Sequence, residues 1–419
     1  MRKIITFLGM NYQDPVSYTY NGKVYTGKVF PEALRQFTDY DQMLVFVTKG
    51  AKEKTWKVLE DLNDPRIIPV DIENGENTEE MWSIFDVVTS HVEEGETVIF
   101  DITHGLRSIP FLAFLFAAYL KTAKSVRIVA IYYGALELRK NHPEGHTPVF
   151  DLSGFVSMLD WITATDQFIQ TGDARRLAKQ INPHDLVNGS LAKASDLLVS
   201  ISQAAFLCQP FALMDRAAQL ESRINKAQEE LHATARPFGL LKDQIVNAYS
   251  RFGVKDARNL ENVKEVLQSE FRLVKWYHQN NQLMLAATLA REWFIDAITY
   301  RLELPIDYKR STRGPIEIAI TGVNKWVQAG CPDPENFDLS KPESQKEDEH
   351  QKAREIFLEL CQWQEKEKIA RIIDMISQVR NTLDHAEHQN GSMGIVTMTD
   401  NLRELVPQLE EFAMHLGLY

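Results

Sequence analysis

Three nearly unbroken apolar runs constrain this fold most: Gln42–Thr48 (QMLVFVT), Thr97–Phe100 (TVIF) and Val126–Tyr133 (VRIVAIYY). Each is short and rich in β-branched and aromatic residues, as expected of strands buried on both faces. Lys3–Leu8 and Ile67–Asp71 read as two further strands. Helical stretches lie between them: Ala51–Leu62, Thr78 to about His91, and Arg107–Lys124. Thr78 is expected to cap its helix, with Glu79 and Glu80 placed for the dipole. Strands alternating with helices predict a mostly parallel, doubly wound α/β sheet. One insert interrupts the pattern. Val16–Phe30 alternates around Asn21-Gly22, which predicts a hairpin with a type I′ turn, and Pro31-Glu32 opens a short helix.

Beyond about Asp151 the β pattern stops. Met158–Gln180, Leu186–Leu207, Phe211–Ala235, Leu240–Tyr249, Leu260–His278, Leu283–Leu302, Ala353–Gln389 and Leu402–Leu416 carry helical periodicity. Gly330–His350, rich in Pro, Asp, Glu, Lys and Ser, reads as an exposed loop. The expected division is an α/β Rossmann-like domain over 1–155, a helical linker over 156–240 and an all-α domain over 241–419.

Composition narrows the function classes. At 419 residues, 44% hydrophobic and 25% charged, the chain is globular rather than disordered or fibrous. Its formal charge of −12 excludes a protein that coats duplex nucleic acid, so any such contact must be confined to a pocket or groove. Three cysteines with no C-x-x-C spacing argue against a disulfide framework or a zinc–thiolate site, and fit a reducing cytoplasm. The N-terminus reads as a first strand rather than a signal peptide. The longest apolar run, Ile109–Leu120, is too short to span a bilayer, so the expected location is cytoplasmic, with no membrane partner.

In a doubly wound sheet, ligands bind beyond the carboxyl ends of the strands. There the sequence offers Gly9-Met10-Asn11, Thr48-Lys49-Gly50, Asp101-Ile102-Thr103-His104-Gly105-Leu106-Arg107 and Tyr133-Gly134. Glycines allow close backbone approach, and Thr, Asn and backbone N–H groups offer hydrogen bonds. Arg107 stands at the start of a helix, whose N-terminus favours anions. These loops predict a crevice for a phosphate-bearing, nucleotide-like ligand. Taken singly, each also reads as an ordinary strand-to-helix turn. Neither G-x-x-x-x-G-K-[ST] nor a G-x-G-x-x-G after the first strand is present.

A second cluster is Arg380-Asn381-Thr382-Leu383-Asp384-His385. On a helix, Asn381 and His385 share a face, while Arg380 lies about 140° from the His; the groups could also combine across two chains. The residue types suit metal-free RNA cleavage. An imidazole can take the proton of a ribose 2′-OH or protonate the leaving 5′-oxygen. A guanidinium can stabilise charge on the phosphorane, and Asn381 would orient either group. Such chemistry leaves a 2′,3′-cyclic phosphate. The plainer alternative is a solvated helix surface with an Arg380–Asp384 ion pair. Asp384, His385 and His388 lack a fourth metal ligand, and His142-Pro-Glu-Gly-His146 carries helix breakers where a zincin needs a helix.

Together the two clusters resemble a known family. Asp101-x-Thr103-His104-Gly105 after the fourth parallel strand, with the hairpin insert leading to Phe30-Pro31-Glu32-Ala33-Leu34, is similar to CARF (CRISPR-associated Rossmann-fold) domains with a D-x-T-H-G signature. Arg380-Asn381-x-x-x-His385 resembles the R-N-x-x-x-H motif of HEPN ribonucleases. CARF followed by HEPN is the order of the accessory ribonucleases of type III CRISPR systems, whereas 156–240 carries no legible motif. The resemblance implies a CARF domain and a C-terminal HEPN domain, each pairing in a homodimer or larger oligomer. Cyclic oligoadenylate would bind as activator, with no cofactor and no metal. Gly9, Asn11, Thr48, Lys49, Thr103, His104, Gly105 and Arg107 would line that pocket. Arg380, Asn381 and His385 would cut single-stranded RNA as an endoribonuclease in antiviral defence. Two alternatives remain at this point: a non-catalytic nucleotide sensor, or a CARF domain that also degrades its own activator.

Overall fold

In the computed structural model, residues 1–11, 14–104, 108–234, 238–307, 309–339, 347–384 and 394–418 are described. They form two compact units, Met1–Asp160 and Trp161–Tyr419.

The first unit is built on eight strands: β1 (Arg2–Leu8), β2 (Val16–Tyr20), β3 (Lys23–Gly27), β4 (Gln42–Val47), β5 (Ile67–Asp71), β6 (Thr97–Asp101), β7 (Arg127–Gly134) and β8 (Thr147–Asp151). Their order is β3-β2-β8-β7-β6-β1-β4-β5. The five from β7 to β5 are mutually parallel, as the apolar runs predict. Alternation along each strand serves two cores. Ile4, Leu8, Met43, Val45 and Ile99 pack with Phe30, Ala33, Leu34, Ala51 and Leu59 on one face. Ile5, Phe7, Leu44, Phe46, Val98 and Phe100 pack with Ile84, Val88, Phe116 and Leu120 on the other. The unit is Rossmann-like.

The hairpin forms where expected, with Asn21 and Gly22 both at positive φ (48° and 75°), as a type I′ turn requires. What the sequence conceals is β8. It pairs antiparallel with β7 and parallel with β2, and so carries the hairpin into the main sheet. Its five residues include Pro148 and follow a Pro-Glu-Gly segment, which reads as turn. One cap also differs: Asn77, not Thr78, accepts the N–H of Glu80, at 2.9 Å.

The second unit is helical throughout its described residues. Its core is continuous, drawing on Phe168, Leu198, Leu220, Tyr249, Phe271, Trp293, Phe294, Ile376, Val379, Leu402 and Phe412. The helix expected over 158–180 is two, Ser153–Thr171 and Arg175–Ile181. Gly172 breaks it at φ +80°, where a Cβ would meet Tyr249 Oη at 2.9 Å and Trp276 Cη2 at 3.0 Å. A helix at Arg310–Gln328 went unread because Pro315 lies inside it. Burial of Ile316, Ala319, Ile320 and Val323 at helical spacing sustains it past the lost hydrogen bond. The last long stretch divides into Glu347–Gln362 and Lys366–Asp384. No helix among the described residues is long and apolar enough to cross a membrane.

Candidate functional site

Among the five parallel strands, β1 is followed in the chain by β4 on one side, after the β2–β3 insert, and β6 by β7 on the other, so the strand order diverges between β1 and β6. At that point Thr6 faces Asp101 in the parallel register, Leu8 faces Val47, and Asp101 faces Tyr132. Gly9, Thr48, Thr103 and Gly134 therefore stand at one sheet edge.

Asp101 is fully buried. Its carboxylate accepts Thr6 Oγ1 at 2.6 Å and the N–H of Thr103 at 2.8 Å. Burial nevertheless pushes the carboxyl up to about 6, the hydrogen bonds offsetting only part of the desolvation. Thr103 Oγ1 in turn accepts the N–H of Gly134 at 2.8 Å. A Cβ at Gly134 would lie 3.0 Å from the Tyr18 ring and 3.2 Å from the Thr103 methyl, so only glycine lets β7 end against both. His104 Nε2 accepts the N–H of Phe30 at 2.9 Å, and burial lowers the imidazole to about 4.

On the other side, Thr48 caps the short helix Lys49–Lys54 by accepting the N–H of Ala51 at 3.3 Å. Thr55 Oγ1 donates to Gly9 O at 2.8 Å, which fixes the turn after β1. Asn11 and Lys49 are exposed. The edge thus brings together Gly9, Asn11, Thr48, Lys49, Thr103 and His104; Gly105 and Arg107 lie outside the described residues. Sequence reasoning missed two participants, Thr6 and Tyr18. Tyr18 is fully buried, its ring 4.9 Å from that of Phe30, and its hydroxyl has no partner among the described residues. Burial, with the Asp101 charge as a lesser cause, holds its phenol far above the usual range. Only the strand alternation of Val16, Tyr18 and Tyr20 hinted at this inward face.

In the second unit, Arg380 and Asn381 are described through their backbone alone, in the last turns of helix Lys366–Asp384. His385 lies outside the described residues. The helix runs antiparallel to Ile395–His415: Asn401 Nδ2 donates to Gln378 Oε1 at 3.4 Å near one end, and Lys368 pairs with Glu411 near the other.

A third cluster carries charge inside this unit. Arg313 contacts Asp296 at 2.8 Å, Glu292 at 2.6 Å and Glu317 at 3.1 Å, while Arg291 bridges Glu292 and Glu317. Beside them Glu270 is buried, its carboxyl pushed up to about 8 by desolvation and the Asp296 charge. Two guanidiniums thus hold helices Leu283–Arg301 and Arg310–Gln328 together.

Comparison with known proteins bears on the region between the two motifs. Residues 157–262 match the family model described as CRISPR-associated protein MJ1674, second domain. The match is to a CRISPR-associated protein. The protein of that name from Methanocaldococcus jannaschii is 32% identical over 117 residues, covering 27% of this chain and 18% of the relative. The shared stretch is therefore under a fifth of that protein. Among solved structures, Enterococcus italicus Csm6 bound to cyclic hexa-2'-fluoro-hexa-dAMP aligns over 99% of this chain and 94% of its own, at 10% identity and a TM-score of 0.40. The family match falls largely on the segment whose sequence carries no legible motif.

Proposed function

We propose that this chain is a cyclic-oligoadenylate-activated, metal-independent endoribonuclease of type III CRISPR defence, acting on single-stranded RNA. The observation that carries the reading is the position of the Asp101-Ile102-Thr103-His104 run, which leaves β6 where the sheet connections diverge, the usual ligand-binding point of such sheets. The match of residues 157–262 to a CRISPR-associated domain supports the same context. Gly9, Asn11, Thr48, Lys49 and the loop containing Thr103, His104, Gly105 and Arg107 form the pocket. Arg380, Asn381 and His385 form the cleavage site, with His385 moving protons and Arg380 stabilising the phosphorane.

The working form is a homodimer. Helix Ile109–Ala123 buries Ala113, Phe116, Ala117 and Leu120 against the sheet yet leaves Phe111, Leu115 and Tyr119 exposed at i, i+4 and i+8. Exposed Trp82 lies against Phe85, whose ring meets Tyr119 at 5.1 Å. A helix apolar on both sides calls for a second apolar surface. A ring bound across two such units activates only by favouring the active arrangement over the resting one.

Labelled single-stranded RNA is incubated with the protein, with and without cyclic tetra- and hexaadenylate. Ligand-dependent cleavage that leaves 2′,3′-cyclic phosphate ends, and is abolished in His385→Ala, is expected. Absence of cleavage by the wild type, where a control ribonuclease cuts, rejects the reading.

A further inference from the structure

The ring of His104 is engaged by the protein itself. Its partner, Phe30, is the first residue of helix Phe30–Phe37, whose N-cap residue Val29 has no side-chain acceptor. The next residue, Pro31, has no N–H, and the N–H of Glu32 reaches Val29 O at 3.2 Å. The Phe30 N–H is thus a helix-end donor that needs an acceptor from elsewhere, and the imidazole supplies it. A ring accepting at Nε2 carries its proton on Nδ1 and is neutral. Burial lowers its pKa, and a helix N-terminus disfavours a cation in the same place. His104 is therefore neither a cation for a phosphate nor free to offer Nε2 to an adenine.

The neighbouring side chains of the same run are engaged in the same way. Asp101 holds Thr6 of β1, and Thr103 holds the end of β7. Among the described residues of the run, His104 is hydrogen-bonded to the insert formed by β2, β3 and helix Phe30–Phe37, where Phe30 packs on Tyr18. We propose that His104 is a positioning residue that pins this hairpin–helix insert to the ligand-facing loop, so that the two move together when ligand binds, and that it does not itself touch the ligand. This rests on the reading of the sheet edge as the activator pocket.

The test uses the full chain with 15N-labelled histidine, titrated with cyclic tetraadenylate and cyclic hexaadenylate. Affinities are measured for the wild type, His104→Ala and His104→Gln. The pin predicts a neutral, Nδ1-protonated ring in both free and bound protein. It also predicts at least tenfold weaker binding by His104→Ala, largely restored in His104→Gln, whose Oε1 can accept the Phe30 N–H. A ring that becomes charged, or moves its proton to Nε2, when ligand is added overturns the proposal. So does wild-type affinity in His104→Ala. If that variant fails to fold, the wild-type tautomer in the bound state decides. A wild type that binds neither ring overturns the pocket reading and this coupling with it, and the wild-type titration alone reveals that case.

Discussion

Thr6 Oγ1 donates to Asp101 Oδ2 at 2.6 Å, across the strand pair from which the sheet connections diverge. The bond ties β1 to β6 at the base of the proposed pocket, yet the carboxyl it serves is raised to about 6 by burial. A carboxyl whose folded pKa lies above its unfolded value binds more protons when folded. Its contribution is full below about pH 4 and is lost as pH rises through 6. Asp101→Asn keeps the shape and removes the titration. The stability of wild type relative to Asp101→Asn should fall between pH 4 and 6.5, measured as the urea midpoint; a constant difference contradicts a buried, proton-binding Asp101.

His104 works in the opposite sense. Its folded pKa of about 4 lies below the ordinary histidine value, so the unfolded chain binds the extra proton. That contribution is full above about pH 6.5 and is lost as pH falls through 4, amounting to as much as about 3 kcal/mol. Relative to His104→Gln, the wild type should lose stability on acidification. The two groups oppose each other between pH 4 and 6, so the stability differences from Asp101→Asn and from His104→Gln should change with pH in opposite directions.

Tyr18→Phe removes a buried hydroxyl that has no partner among the described residues. Such a deletion leaves nothing unpaired and relieves a desolvation cost of about 1–3 kcal/mol. Thermal unfolding should show equal or higher stability, in contrast to the loss usual for a core truncation. A fall of more than about 1 kcal/mol would mean that the hydroxyl has a partner, such as a buried water.

Arg313→Ala leaves the buried Asp296 without its guanidinium beside the buried Glu270, while Glu292 and Glu317 keep Arg291. Removing one partner of the largely buried Arg313–Asp296 pair costs about 3–5 kcal/mol, while the part-exposed Glu292 and Glu317 add little. Arg313→Lys should recover little, because one ammonium cannot hold three carboxylates in a fixed fork. Chemical denaturation of the two variants checks both statements.

Leu115→Arg places a charge in the exposed apolar stripe of helix Ile109–Ala123. Sedimentation should show a monomer, with the circular dichroism of the folded chain retained and ligand-dependent cleavage lost. An unchanged dimer assigns the interface to another surface.

The parallel strands were legible because strands buried on both faces must be apolar throughout, as Met43 to Val47 are. Asn21-Gly22 was legible because few residues tolerate two successive positive φ values. β8 was not. Its identity comes from partners outside the segment, Tyr18 and Tyr133 pairing with Thr147 and Phe150 respectively, and five residues with a proline carry little local signal. Helix Arg310–Gln328 was missed for a related reason: local propensity at Pro315 is overridden by core packing.

Sequence alone indicated that Gly9, Thr48, Thr103 and His104 follow strand ends, since strand ends and turn residues are local properties of the chain, but not that Thr6 and Tyr18 join them. Only the tertiary structure decided what those residues touch. Thr103 faces Gly134, and His104 faces Phe30, 74 positions away, with its ring neutral rather than charged. Burial and hydrogen-bond partners set the state of a titratable group, and both arise from segments that meet only once the chain has folded.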